Sequence, residues 1–118
     1  KIAHYREMLQ QYPNDTILQF GLANLLYGRV KKHKDAGTEQ EIHFLCNRIL
    51  HSNKPDMQCG AKRILAFLSA QNGNMEEAMK YVNELPSLYC GREIVAEQIL
   101  NGISFGKALK KWEAQMGD

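Results

Sequence analysis

The chain lacks the features that mark membrane and secreted proteins. No stretch of its 118 residues approaches the ~20 consecutive apolar residues of a membrane-spanning helix, and nothing resembles a secretory signal peptide. Lys and Arg total 15 against 13 Asp and Glu, a net charge of +2. So small an excess does not require nucleic acid or an anionic membrane as a partner. The sequence therefore predicts a soluble protein without membrane contact.

Cysteine is also scarce. The three cysteines, Cys46, Cys59 and Cys90, lie far apart in the sequence. An odd count without a secretion signal is typical of reduced, largely buried thiols. The cysteines therefore predict a cytoplasmic location.

Positive charge is concentrated at only one place. The longest basic cluster runs from Lys31 to Lys34. A nucleic-acid-binding protein is expected to carry an extended basic face, whereas cations at a helix end complement the helix dipole. The cluster is interpreted as a solvated helix end.

Motifs for catalysis are missing. The sequence contains no nucleophile elbow, phosphate-binding loop, zinc-protease motif or dinucleotide fingerprint. The nearest approach to a metal cluster is His43, Cys46 and His51, which falls short of four ligands at recognised spacings. We predict that the chain is not an enzyme and holds no metal or cofactor.

What is present throughout is helical periodicity. Apolar residues recur three and four positions apart, and no stretch alternates with the two-residue period of a half-buried strand. The predicted fold class is all-α. Seven helices are predicted at about residues 1–12, 17–33, 39–52, 55–71, 75–85, from 86 onward and 104–116.

Capping residues set several of these boundaries. Asp15 or Thr16 is suited to cap the second helix, and Asn74 is suited to cap the fifth. Thr38 followed by Glu41 has the pattern of a capping box for the third helix. The sixth helix is predicted to open near residues 86–87.

Helices in pairs separated by short turns indicate a helical hairpin repeat. The best-marked unit, residues 61–85, contains a large-small pair and a G-x-x-x-E-A turn, and resembles the tetratricopeptide pattern. Small residues at such crossings let helices approach closely. We predict one domain over residues 1–118, built of stacked antiparallel hairpins. The predicted structural repeat positions are Leu22, Ala23, Leu65, Ala66, Gly73 and Ala78.

A second resemblance is carried by residues 81–93, Tyr-Val-Asn-Glu-Leu-Pro-Ser-Leu-Tyr-Cys-Gly-Arg-Glu. With the Tyr-Pro-Asn-Asp run at 12–15 and the Cys-Asn-Arg-Ile-Leu run at 46–50, this segment resembles the C-terminal helical domain of helix-turn-helix regulators of the Cro/repressor (XRE) type from Firmicutes. The similarity covers about residues 5–103. Gly91 stands where that family leads us to expect a second Ser, and the tail from Ile103 matches nothing in it.

The resemblance implies a C-terminal regulatory or oligomerisation domain of a transcriptional regulator, binding a peptide, a protein or a small effector. DNA would be contacted only through an N-terminal domain that this chain lacks. The start at Lys1, without Met and inside a helical pattern, leads us to expect that an upstream segment has been removed. The alternative is a free-standing tetratricopeptide-type scaffold for protein binding.

One candidate effector or thiol site consists of Tyr89, Cys90, Arg92 and Glu93. Arg92 and a helix N-terminus are able to lower the pKa of the Cys90 thiol, which is typical of a redox or electrophile sensor. The other interpretation is that Cys90 is a small apolar residue packed in the first turn of the sixth helix.

The final segment, residues 103–118, is predicted to be a capping or dimerisation helix. It carries one apolar stripe, and such a helix either covers the end of a helical array or pairs with the same helix of a second subunit in a homodimer. Trp112 is the predicted anchor, since aromatic residues dominate interface energetics. The predicted self-association residues are Phe105, Leu109, Trp112 and Met116.

Overall fold

The computed structural model describes residues 1–86 and 91–116, without the side chain of Met116. The described residues form seven α-helices and no strand, which confirms the all-α prediction. The helices are α1 (Ile2–Gln11), α2 (Thr16–Lys32), α3 (Ala36–Leu50), α4 (Pro55–Gln71), α5 (Met75–Asn83), α6 (Arg92–Asn101) and α7 (Phe105–Met116).

Among the described residues, side-chain caps begin four of these helices, including α7, where the Ser104 hydroxyl oxygen accepts a 3.3 Å hydrogen bond from the Lys107 N–H. The Asp15 carboxylate accepts a 3.0 Å hydrogen bond from the backbone N–H of Leu18, and the Asn74 amide oxygen accepts one of 3.1 Å from Glu77. The prediction for α3 was wrong, because Asp35 and not Thr38 is the cap. Its carboxylate accepts from the Thr38 N–H at 2.9 Å, and α3 begins at Ala36.

The sixth helix also begins later than predicted. Its first residue is Arg92, not a residue near Pro86. Gly91 precedes it with φ +65°, in the left-handed region that glycine adopts without steric cost. The helix therefore starts only after this residue.

The helices pair as hairpins and stack in two layers. Three-residue turns connect α2 to α3 and α4 to α5, and α6 pairs with α7, while α1 packs on α2. Within the described part of the chain, α2 contacts α4 and α4 contacts α6, but no two odd-numbered helices meet at the level of the backbone. The even-numbered helices therefore form the more closely spaced layer, which is the inner side of a curved stack.

The first two hairpins share a helix length, a Gln-x-Gly motif and a cap position at an offset of 39 residues, which defines a repeat unit. The helices α2 and α4 each have 17 residues and begin at Thr16 and Pro55. Within the unit, Gln58 follows Gln19, Gly60 follows Gly21 and Asn74 follows Asp35 at the same offset.

Each glutamine has the same role in its unit. The Gln19 side-chain amide donates to the Pro13 carbonyl at 2.9 Å, six residues back in the linker. The Gln58 amide donates to the Ser52 carbonyl, also six residues back. The helices and their linkers are thus held alike in both copies.

Two apolar clusters fill the space between the layers. The first joins α2, α3 and α4, and the second joins α4, α5 and α6. Of the structural positions predicted from sequence, five are at most 1% exposed in these clusters: Leu22, Ala23, Leu65, Ala66 and Ala78. The sixth, Gly73, lies in the turn between α4 and α5 with φ +81°.

Candidate functional site on the inner layer

Five side chains of α2 and α4 lie on the inner layer, where Tyr27 contacts Phe67 and Lys31 lies over the Tyr27 ring. The helical spacing places Asn24, Tyr27 and Lys31 on one side of α2, and Arg63 and Phe67 on the matching side of α4. The rings of Tyr27 and Phe67 are half-buried, and the three polar side chains are exposed. We call these five residues the inner-face site.

The register of α2 against α4 is set by contacts at both ends of the helix pair. The Tyr27 and Phe67 rings stack with centroids 6.4 Å apart and an interplanar angle of 28°. One end of this contact is fixed by the Gln71 side-chain amide, which donates to the Val30 carbonyl at 2.8 Å.

The other end of the helix pair is fixed at Gly60. A Cβ added to this glycine would lie 2.4 Å from Cζ of the Phe20 ring. No side chain larger than hydrogen fits beneath the ring in its present position, so Gly60 sets the close approach of α4 to α2.

The site carries uncompensated positive charge beside its aromatic pair. Lys31 Nζ lies 5.9 Å from the centroid of the Tyr27 ring, a cation–π distance. Among the described residues, neither Lys31 nor Arg63 has a carboxylate within 4.0 Å. Burial raises the pKa of the Tyr27 phenol.

These groups together are able to bind a peptide. The aromatic pair offers an apolar surface, the two cations attract carboxylates, and the Asn24 amide is able both to donate to and to accept from a peptide backbone. The surface contains no nucleophile paired with a base.

The site predicted near Cys90 is only partly described. Tyr89 and Cys90 lie outside the described residues, and Arg92 and Glu93 form the half-buried first turn of α6. Next to this turn, a cavity of about 480 Å³ separates α4 from α6. It is lined by Asp56, Cys59, Gly60, Arg63, Gly91, Ile94, Val95 and Phe105.

The other two cysteines differ from each other. Cys46 is a free thiol that is fully buried, and burial raises its pKa to about 12. Cys59 is disulfide-bonded, which corrects the prediction of a reduced thiol at this position. Because disulfides are rare in cytosolic proteins, this bond weakens the cysteine argument for a cytoplasmic location.

The residues predicted for self-association lie on α7, which packs against α6. Phe105 is 54% exposed, whereas Leu109 and Trp112 are half-buried. The Met116 side chain lies outside the described part. Lys111 Nζ contacts Glu97 Oε2 at 3.0 Å and ties α7 to α6. Part of the apolar stripe is thus covered within the chain.

The inner-face site was missed by the sequence analysis. A signal for it exists, since the motif Gln-x-Gly occurs at 19–21 and again at 58–60. Aligning the two copies places Asn24 opposite Arg63 in equivalent positions of α2 and α4, and would have pointed to this face.

Metal sites and membrane spans were sought among the described residues. No group of three or more His, Cys, Asp and Glu side chains is placed to hold a metal ion there. No described helix combines the length and apolar character needed to cross a membrane.

Comparisons with protein-family models, curated proteins and solved structures found no match.

Proposed function

We propose that this chain is a peptide-binding regulatory domain whose inner layer holds an extended, carboxylate-bearing segment of a peptide or protein. The observation that carries the proposal is the inner-face site. It presents a stacked aromatic pair and two cations that have no carboxylate within 4.0 Å in the described part of the chain. A binding role, not a catalytic one, is the function proposed.

The ligand would cross from α2 to α4. An apolar side chain of the ligand would pack on the rings of Tyr27 and Phe67, while Lys31 and Arg63 would pair with its carboxylates. The Asn24 side-chain amide would form hydrogen bonds with the backbone of the ligand. Because these residues belong to two hairpins, the ligand would bind most tightly to the arrangement in which the hairpins lie closest. Regulation by a ligand requires such a difference in its affinity for two arrangements of the protein.

For the whole protein, the function that we propose is that of a helix-turn-helix transcriptional regulator. The support for it is the sequence resemblance at residues 81–93, together with the helical hairpin architecture that the resemblance implies. In such a protein, occupancy of the inner layer would bias a DNA-binding domain elsewhere in the polypeptide. The homodimer expected through α7 belongs to the same proposal.

A free-standing tetratricopeptide-type scaffold is the alternative. It would use the same inner-face site and bind a protein segment without any link to DNA. The complete open reading frame separates the two, because a regulator encodes a helix-turn-helix upstream of residue 1 and a scaffold does not.

The binding role is tested with a library of fluorescein-labelled octapeptides that each contain one aromatic and two acidic residues. Fluorescence anisotropy of the best binders is then measured against Lys31→Glu and Arg63→Glu variants. We expect each charge reversal to weaken binding about tenfold, which corresponds to roughly 1.4 kcal/mol.

The matched control is Lys80→Glu, an exposed charge reversal on α5 in the outer layer. This variant should bind the peptides as the unmodified chain does. A library without binders, or binders that respond equally to all three substitutions, would refute the proposed function.

A further inference from the structure

The cavity of about 480 Å³ between α4 and α6 adjoins the inner-face site, because the exposed Arg63 side chain belongs to both. Its volume lies within the range of about 300–1,000 Å³ that is usual for pockets that hold small ligands. Asp56 contributes a carboxylate to its lining. The other lining residues are apolar or glycine: Cys59, Gly60, Gly91, Ile94, Val95 and Phe105. We call this space the α4–α6 cavity.

The 39-residue repeat indicates why space remains at this place. Cys59 of α4 holds the position that Phe20 holds in α2. The Phe20 ring occupies the contact between α2 and α4, where it rests on Gly60. Cys59, which lines the α4–α6 cavity, is a much smaller residue, and no ring extends from this position of α4. A volume that an aromatic ring fills between the first two inner helices is therefore left open between α4 and α6.

Arg63 places a positive charge beside this space. It lies about one helical turn from Gly60 and one turn from Phe67, so the cavity and the aromatic pair are on the same side of α4. Among the described residues, no carboxylate lies within 4.0 Å of the Arg63 guanidinium. An apolar cavity with a guanidinium at its border is suited to an aromatic side chain that has a carboxylate next to it.

We propose that the α4–α6 cavity receives an aromatic side chain of the ligand whose acidic segment lies on the inner-face site. This inference rests on the proposed function and deepens it, because it names a residue of the ligand. The ring would lie against α4 and α6 as the Phe20 ring lies between α2 and α4. Arg63 would pair with a carboxylate of the ligand beside the ring.

The geometry of α4 predicts the spacing of this motif in the ligand. Gly60 and Phe67 are seven residues apart in the sequence, which is about 10 Å along the helix axis. An extended peptide covers that distance in about three residues. The aromatic residue in the cavity should therefore lie three positions from the apolar residue that packs on Tyr27 and Phe67, with an acidic residue between them.

The cavity is tested first without a peptide. The probe is phenylacetate, which joins one aromatic ring to one carboxylate, and it is titrated into the whole chain without a reducing agent, so that the Cys59 disulfide stays intact. The methyl NMR signals of Ile94 and Val95 should shift in a saturable way. Acetate, which lacks the ring, should shift neither. Arg63→Gln should weaken phenylacetate binding several-fold, because the carboxylate loses its charged partner.

The second measurement compares two acidic octapeptides that differ only at the position three residues from the apolar one, where one has Phe and the other Ala. By fluorescence anisotropy, the Phe peptide should bind about tenfold more tightly, since aromatic anchors dominate binding energetics. Ile94→Trp, which fills the cavity, should remove this preference and leave the affinity for the Ala peptide unchanged. Phe105→Ala, which widens the cavity, should reduce the preference several-fold.

Leu100→Trp is the matched control, because Leu100 is 59% exposed on the same helix and lies outside the cavity lining. This variant should keep the preference for the Phe peptide. Thermal unfolding of each variant shows whether the fold is retained. If Ile94→Trp is unstable, Phe105→Ala decides the test, because it removes a ring that is 54% exposed.

The results separate this inference from the proposed function. Absence of shifts at Ile94 and Val95 with phenylacetate would overturn the inference, as would equal affinity of the two octapeptides. A preference for Phe that persists in Ile94→Trp and Phe105→Ala would also overturn it. In each of these cases the proposed function stands if Lys31→Glu still weakens peptide binding. If no acidic peptide binds, the proposed function fails and this inference fails with it, even where phenylacetate binds.

Discussion

At the residue scale, the positions with the least freedom are glycines on which an aromatic ring of another helix rests. Gly60 lies beneath the Phe20 ring of α2, and Gly21 lies beneath the Tyr5 ring of α1. Gly28 lies in the same helix as Gly21, and no atom would come within 4 Å of a Cβ added to it. These glycines should therefore respond in opposite ways to substitution.

We predict that Gly60→Ala lowers the free energy of unfolding by about 1 kcal/mol. The added methyl must displace the Phe20 ring, and overpacking of this kind outweighs the gain in helix propensity. Gly28→Ala should instead raise the free energy by up to about 1 kcal/mol, because only the propensity changes. Urea denaturation measures both. A stabilised Gly60→Ala would show that the contact with Phe20 is not close.

The buried Cys46 thiol makes stability depend on alkaline pH. Burial raises its pKa to about 12, against an ordinary value near 8.5 in an unfolded chain. The folded protein therefore holds the proton over this interval and the unfolded chain releases it. The contribution of Cys46 to stability is complete below the unfolded pKa and is lost as pH rises toward the folded one.

We predict that ionisation of Cys46 in the unfolded chain lowers the free energy of unfolding by about 2 kcal/mol between pH 8 and pH 10. Urea denaturation at the two pH values measures it, and the Cys46→Ala variant is the control that should lack the dependence. An identical decline in both proteins would assign the effect to other groups. Tyr27 and Tyr81 also have a raised pKa, and they affect the pH dependence of stability mainly above this range.

At the element scale, the glutamines of the repeat unit connect each inner-layer helix to its linker. Gln19 is 3% exposed and donates to the Pro13 carbonyl at 2.9 Å. Replacing it with Leu retains the approximate size but removes the hydrogen bond. We predict that Gln19→Leu costs about 1 kcal/mol, the usual net value of such a bond.

The matched control is Gln40→Leu, on the exposed side of α3. It should change the free energy of unfolding by less than about 0.5 kcal/mol, as surface substitutions usually do. Gln58→Leu should behave like Gln19→Leu, because the two glutamines hold equivalent linkers. Different behaviour of the two would argue against the 39-residue repeat.

Local signals predicted most of the helices. The boundaries of α2, α4 and α5 agree with the sequence prediction within about two residues, because Asp15, Pro55 and Asn74 act only on adjacent backbone. The start of α3 was missed because Asp35, three residues before Thr38, caps the helix by accepting from the Thr38 N–H. The start of α6 was missed because nothing in the sequence required Gly91 to be left-handed.

At the scale of the whole molecule, the inner-face site could not be predicted from periodicity alone. Apolar spacing shows that α2 and α4 each have a buried side, but it does not give their relative register. The stacking of Tyr27 on Phe67 depends on that register, which Gly60 and the hydrogen bond from Gln71 fix. The repeated Gln-x-Gly motif indicates this register, because it aligns the sequence of α2 with that of α4.

The two layers also have different roles in the proposed function. On the inner layer, Lys31 lies over the Tyr27 ring, and no carboxylate of the described residues lies within 4.0 Å of Lys31 or Arg63. We propose that this combination of positive charge and aromatic surface, and not charge alone, directs an acidic ligand to the inner layer.

The most direct test is an NMR titration of the ¹⁵N-labelled chain with the tightest octapeptide from the library. We predict that the largest backbone shifts occur at Asn24, Tyr27, Lys31, Arg63 and Phe67, and that those of α3 and α5 stay small. Shifts concentrated on the odd-numbered helices, or spread evenly over the chain, would contradict the inner-face site.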